Sequence, residues 1–196
     1  MTLFENTEQA LIFAYNYTGQ NCIIARLSPE PLPTTGKGLG GLNGAAQAGM
    51  IRREVSSAGK LIESLITAKY APMWLPCSCG HACCSGKIEN REWSEAIPYI
   101  VLDVCKNALH GADRGTVVWC VKAYYSGIRP SATLVASHAG VHVSTITRQM
   151  KDIKAYLRGT RGREGMDAVA YRTVDRILTD KGIVNEAQLG HDQDHP

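Results

Sequence analysis

Two stretches of this 196-residue chain gather side chains that could do chemistry. The first is CSCGHACCSG, residues 77–86, where four cysteines and one histidine fall within eight residues. Thiolate and imidazole are the ligands Zn²⁺ prefers, usually as a closed tetrahedral set. Cys77, Cys79, Cys83 and Cys84 are the candidate ligands. Adjacent Cys83 and Cys84 can share one metal only on a bent backbone, so His81 could replace one of them. The spacing C-x-C-x3-C-C departs from the paired C-x2-C arrangement, which leaves a redox thiol cluster or plain turn cysteines as the alternatives. Neither H-E-x-x-H nor the H-x-E…P-C-x-x-C pattern is present, which speaks against catalytic zinc.

The second stretch is ATLVASHAGVHVSTITRQM, residues 132–150. It reads as a helix over 132–139, a turn at Gly140 and a second helix over 143–157. The turn needs a left-handed backbone, which Gly adopts without steric cost. Small Ala136 lies where the two helices must approach closely, and Val141 closes the turn onto the core. Ile146, Met150, Ile153 and Leu157 form one apolar stripe at helical spacing. Gln149 stands where an apolar residue is expected, with Met150 as the substitute contact. His142, Ser144, Thr147, Arg148 and Lys151 fall on the opposite side. Ser, Thr and Arg hydrogen-bond base edges and phosphates, and Lys neutralises phosphate. The pattern is that of a DNA-reading helix-turn-helix; the plainer alternative is a helical hairpin with a solvated polar face.

Charge is distributed in keeping with this. The chain carries only +3 overall, yet residues 141–163 hold Arg148, Lys151, Lys154, Arg158, Arg161 and Arg163 against Asp152 alone. A basic stripe confined to one helix and its exit is the electrostatic footprint of a nucleic-acid reader, whereas solvated helix faces usually mix signs. No apolar run reaches the roughly 20 residues of a membrane helix. The N-terminus lacks a basic start and a signal-peptide core, so a cytoplasmic protein is expected. In a reducing compartment seven cysteines argue for thiols or metal rather than disulfides.

The elements that must position these residues are helices. Residues 2–17 predict a first helix with Thr2 and Glu5 at capping-box spacing. Residues 21–26 are a short apolar run, and 27–43 a Pro- and Gly-rich linker. Its GKGLGG phrase lacks the Lys-Ser/Thr ending of a phosphate-cradling loop. Asn43 caps a helix to about Ser56, Gly59 breaks it, and residues 60–70 form the next, stopped by Pro72 and Pro76. Asn90 caps a helix to about Ala108, in which Pro98 marks a kink or the true first turn, and whose Trp93 could pack over the cysteine knuckle. Asp113 caps residues 114–126, the bracing helix of a three-helix module, and Ser131 caps the helix after it. Residues 160–164, TRGRE, read as a basic hinge before an amphipathic helix over 165–181, and 185–196 as a polar tail. The division is 1–76 with its linker at 27–43, then 77–110, 111–160, 161–184 and 185–196. The fold class is mainly α: a helical domain with a Cys-rich zinc knuckle and a three-helix helix-turn-helix module.

The run RGTVVWCVKAYYSGIRPSATLVASHAGVHVSTITRQMKDIKAYL resembles the promoter-reading helix-turn-helix at the C-terminal end of sigma factors, and a similar module looks like the core of phage late-gene antiterminators of the Q type. LGGLNGAAQAGMIRREV and the cysteine knuckle followed by a Trp-bearing helix resemble small DNA-binding proteins of phage and prophage genomes. The resemblance implies a protein of the bacterial host cytoplasm that binds double-stranded DNA near a late promoter and engages RNA polymerase. It places His142, Val143, Ser144, Thr147, Arg148 and Lys151 at the groove, with Val143 against a thymine methyl. Zn²⁺ is then scaffold, or part of a surface offered to the polymerase. The rivals are a dimeric repressor, the targeting part of a phage recombinase or nuclease, and a protein-interaction module that never reads bases. No membrane, small-molecule substrate or catalysis is expected: Asp103, Asp113 and Asp167 are scattered, each with a cap or surface explanation.

Overall fold

Local signals start and stop most of the helices. In a computed structural model that describes residues 3–17, 41–77, 79, 85–128 and 131–185, the chain is mainly helical. The helices are α1 Thr7–Asn16, α2 Gly41–Ser57, α3 Lys60–Tyr70, α4 Arg91–Asn107, α5 Arg114–Ser126, α6 Ala132–Ala139, α7 Val143–Arg158 and α8 Met166–Asp180. Two small antiparallel pairs interrupt them, β1 Trp74–Pro76 with β2 Lys87–Glu89, and β3 Gly159–Thr160 with β4 Arg163–Glu164. No described helix is long and apolar enough to cross a membrane.

The contacts divide the chain into two units, residues 1–54 with 175–196 and residues 55–174. In the first unit Leu3 and Phe4 donate their amides to the Ile183 carbonyl, and Phe4 bridges to Val184 in parallel. This corrects the expected start of the first helix. Residues 3–6 are held by the distant 183–184 segment, and Asn6, not Thr2, caps α1 by accepting from the Gln9 amide at 2.9 Å. Phe4 stacks obliquely on Phe13, and Thr7 donates its hydroxyl to Asp175 at 2.6 Å. Arg52 crosses over the Tyr15 ring and donates to the Ala14 carbonyl. α2 begins at Gly41, two residues before the expected Asn43 cap. Residues 21–26, the linker up to residue 40 and the tail from residue 186 lie outside the described residues.

The second unit is built on α3, α4 and α5, with α6 and α7 packed against α5 and each other. Asn90 caps α4 as expected, and its amide and side chain also bond the Met73 and Pro72 carbonyls, which ties the β1–β2 pair to the start of α4. α4 runs through Pro98, so Pro98 is not its first turn; the proline is on the exposed side, where a lost helix bond opens to water. Trp93 is buried and donates its indole N–H to the Ala68 carbonyl at 3.1 Å, so it fills the α3–α4 junction. Asp113 caps α5 by accepting from the Thr116 amide at 2.9 Å. Ser131 occupies the cap position of α6 but makes no side-chain cap bond.

Candidate nucleic-acid interface

The α6–α7 pair carries most of the predicted binding residues. α6 ends at Gly140, whose φ of +64° is the left-handed conformation the turn requires. The Val141 amide then reaches back to the Ala136 carbonyl at 3.1 Å, closing the turn. Ala136 is buried. On α7, Ile146, Ile153 and Leu157 are buried, each contributing about 1.5–3 kcal/mol as an upper figure. Met150 is only half-buried, and Gln149 is buried at 8% exposure, its Oε1 without a hydrogen-bond partner. Met150 therefore does not substitute for position 149. Position 149 lies about 60° round the helix from Ile146, at one edge of the stripe, and that is the edge the fold covers, while Met150 at the other edge is left half-open.

His142, Ser144, Thr147, Arg148 and Lys151 are exposed and Val143 is half-buried. His142 caps α7: its Nδ1 accepts from the Ser144 amide at 3.2 Å and lies 2.7 Å from Ser144 Oγ. Thr147 donates its hydroxyl to the Val143 carbonyl at 3.1 Å. These bonds give His142, Ser144 and Thr147 fixed positions at the α7 start. Lys154 and Arg158 continue the exposed side to the helix end. Among the described residues, Arg148, Lys151, Lys154 and Arg158 form no side-chain ion pair or hydrogen bond. Where α5, α6 and α7 meet, an apolar cavity of about 220 Å³ is lined by Trp119, Cys120, Ala132, Val135, Ile146, Thr147 and Met150. Burial pushes the Cys120 thiol up to about 11, so it is a packing group and not a reactive thiolate.

The structure corrects the reading of two carboxylates. Asp167, at the start of α8, accepts hydroxyl bonds from both Tyr124 and Tyr125 of α5, each at 2.7 Å. The two rings meet edge to face at 4.9 Å. Burial raises the Asp167 carboxyl above its usual range, against the two hydroxyl bonds and Lys69, which pull it down. Asp103 accepts from Tyr156 at 2.6 Å, joining α4 to α7. Both acids are structural links and not surface groups. The Tyr-Tyr pair was visible in the sequence, but nothing local names an acid 42 residues away as its partner.

A further correction concerns residues 160–164. They are not a hinge: β3 and β4 pair with Gly159 opposite Glu164 and Thr160 opposite Arg163. Gly159 has a φ of +93°, and a Cβ on Gly165 would lie 2.2 Å from the Arg158 carbonyl carbon and 2.3 Å from the Leu157 oxygen. Only glycines let the two backbones approach so closely.

The cysteine-rich run is the connection of the β1–β2 hairpin. Trp74, Leu75 and Pro76 pair with Glu89, Ile88 and Lys87, and the Cys77 amide donates to the Gly86 carbonyl at 2.9 Å. Cys77 is half-buried and Cys79 exposed. His81, Cys83 and Cys84 lie outside the described residues. Among the described residues no group of three or more His, Cys, Asp or Glu side chains is arranged to hold a metal.

No protein-family model, curated protein or solved structure matches the chain.

Proposed function

We propose that residues 114–158 are a helix-turn-helix module of the sigma-like kind, and that the protein is a sequence-specific DNA-binding transcription regulator, a binding protein rather than an enzyme. The observation that carries this reading is the outer face of α7. One side of the helix is buried on α5 and α6, while the other presents Ser144, Thr147, Arg148 and Lys151 to solvent. Its cations have no carboxylate partners among the described residues. In this reading His142, Val143, Ser144, Thr147, Arg148 and Lys151 enter the major groove, with base contacts from the N-terminal half of the helix. The resemblance to Q-type late antiterminators, phage-encoded and acting on RNA polymerase, supplies the finer version.

The test is selection of bound sequences from random duplexes at physiological salt, repeated with Arg148→Ala. An enriched site that loses about 1–3 kcal/mol of preference in the variant supports base reading. A two-fold symmetric site favours a dimeric repressor; an asymmetric or direct-repeat site favours the polymerase-engaging version. No enrichment rejects the reading.

The proposal includes structural Zn²⁺ on Cys77, Cys79, Cys83 and Cys84, with His81 able to replace one of the last two. What supports it is the chemistry of the donors together with their place: the paired strands bring the two ends of the run together. A bound zinc would cross-link the connection and couple metal loading to folding. Metal analysis after reducing, chelator-free purification should find about one zinc per chain; none would reject the site.

A further inference from the structure

The geometry points to the β3–β4 hairpin as a second DNA contact, a preformed arginine clamp on the phosphate backbone beside the groove that α7 reads; this rests on the DNA-binding reading of α7. Arg158 at the end of α7, with Arg161 and Arg163 on the hairpin, is exposed. Among the described residues none of the three forms an ion pair or a side-chain hydrogen bond. The hairpin's one acid, Glu164, is already engaged by Arg172 of α8. The result is a concentrated positive charge without a counter-charge of its own among the described residues, around a shallow concavity of about 560 Å³ lined by Arg158, Thr160, Arg161, Arg163, Ala168 and glycine backbone, with Glu164, held by Arg172, also at its wall.

Placement argues for phosphate as the occupant. Helical periodicity puts Arg158 on the same stripe as Ser144, Arg148 and Lys151. It lies fourteen residues beyond Ser144, about 21 Å along the axis at 1.5 Å per residue. A helix whose first turns meet base edges reaches the sugar–phosphate backbone by its far end. The hairpin continues from that end, so its arginines meet phosphates rather than the base pairs read by Arg148.

Rigidity argues that the hairpin is built for this and is not a solvated turn. It is held at both ends. Leu157 is buried before it. The Gly159 and Gly165 backbones cross within the reach of a missing Cβ. Asp167, just after it, is fixed by two tyrosine hydroxyls. Cations carried on a fixed backbone lose less freedom on binding than cations on a mobile hinge. Each phosphate neutralised adds to affinity without sequence preference and releases counterions.

The experiment is a salt titration of full-length protein on mixed-sequence DNA duplex, comparing the parent with R161A/R163A. Both side chains are exposed, and an unchanged thermal melt confirms the variant's fold. The expected result is a slope of log affinity against log salt shallower by about one for each arginine, so that a fourfold rise in salt weakens the variant about tenfold less than the parent. Sequence preference should survive, in contrast to Arg148→Ala. An unchanged slope overturns the clamp while leaving the α7 reading intact. A loss confined to an RNA duplex of the same sequence also overturns it. Failure of the parent to bind any DNA duplex rejects the underlying reading, and the clamp with it.

Discussion

α4 and α7 are amphipathic helices of nearly equal length in the same unit, and they treat their outer charges differently. On α4 most charges have partners within the fold, with Lys106 in the last turn exposed. Arg91 pairs with Glu95 at 2.6 Å, Asn107 donates to Asp103 at 2.8 Å, and Lys60 of α3 lies over the Tyr99 ring. On α7 the cations run along one side with Asp152 the helix's one acid. The bond between the two helices is made by Tyr156, which donates to Asp103, so α7 turns a neutral group toward α4 and keeps its cations outward. A charged face becomes informative through its bookkeeping: mixed charges that satisfy one another describe a solvated surface, and charges of one sign left over describe a surface made for an opposite charge elsewhere.

The largest test of that distinction is to remove a charge that belongs to the fold. Asp167→Ala leaves the Tyr124 and Tyr125 hydroxyls without their acceptor in a half-buried site. It should cost about 3 kcal/mol in urea unfolding. A cost no greater than that of Arg148→Ala would mean that fold charges and leftover charges are not separable here.

On the buried side of α7, Gln149→Leu replaces a buried amide whose oxygen has no partner with an apolar group of similar size. It should stabilise the protein by about 1 kcal/mol, read as a higher denaturation midpoint, with DNA binding unchanged. Destabilisation would show that the amide is engaged by something that a leucine cannot replace.

A smaller effect should appear at high pH. Burial, then the hydrogen bond and charge of Asp103, raise the Tyr156 hydroxyl to about 12, above its unfolded value of about 10. The folded state therefore holds this proton more tightly than the unfolded chain. The stability it contributes is whole below about pH 10 and is lost as pH rises toward about 12. Tyr156→Phe should flatten that part of the stability–pH curve; an unchanged curve would mean that the α4–α7 bond carries no proton linkage. The smallest effect belongs to the exposed Arg91–Glu95 pair. Arg91→Ala should leave both melting and DNA affinity where they were, and a clear loss of DNA binding would break the contrast between the two helices.

Much of the framework was legible because its signals are local. Asn90 and Asp113 cap the helices that follow them by bonds to amides two and three residues away. Gly140 alone places the α6–α7 turn, and the 3.6-residue period of α7 shows its buried stripe. The candidate interface was legible to the same extent: the exposed residues at the start of α7 are the ones periodicity assigns. Where a nearby residue was judged by type alone, the reading slipped. Gln149 is buried because the packing covers the edge of the stripe on which it lies, whatever its polarity.

Interactions within a few residues thus set the run of helices, their caps and the separation of a basic side from an apolar one. The partners across longer separations come from the packed fold. It pairs residues 74–76 with 87–89, so that the cysteine-rich run becomes the connection of a hairpin. It draws residues 3–4 to 183–184 and Asp167 to the two tyrosines. It turns TRGRE from a hinge into paired strands locked by Gly159 and Gly165. The physical reason is one of range. A cap or a left-handed turn is satisfied by its neighbours, whereas a strand pair, a buried acid or a backbone crossing needs a partner that many sequences of the same pattern could have placed elsewhere.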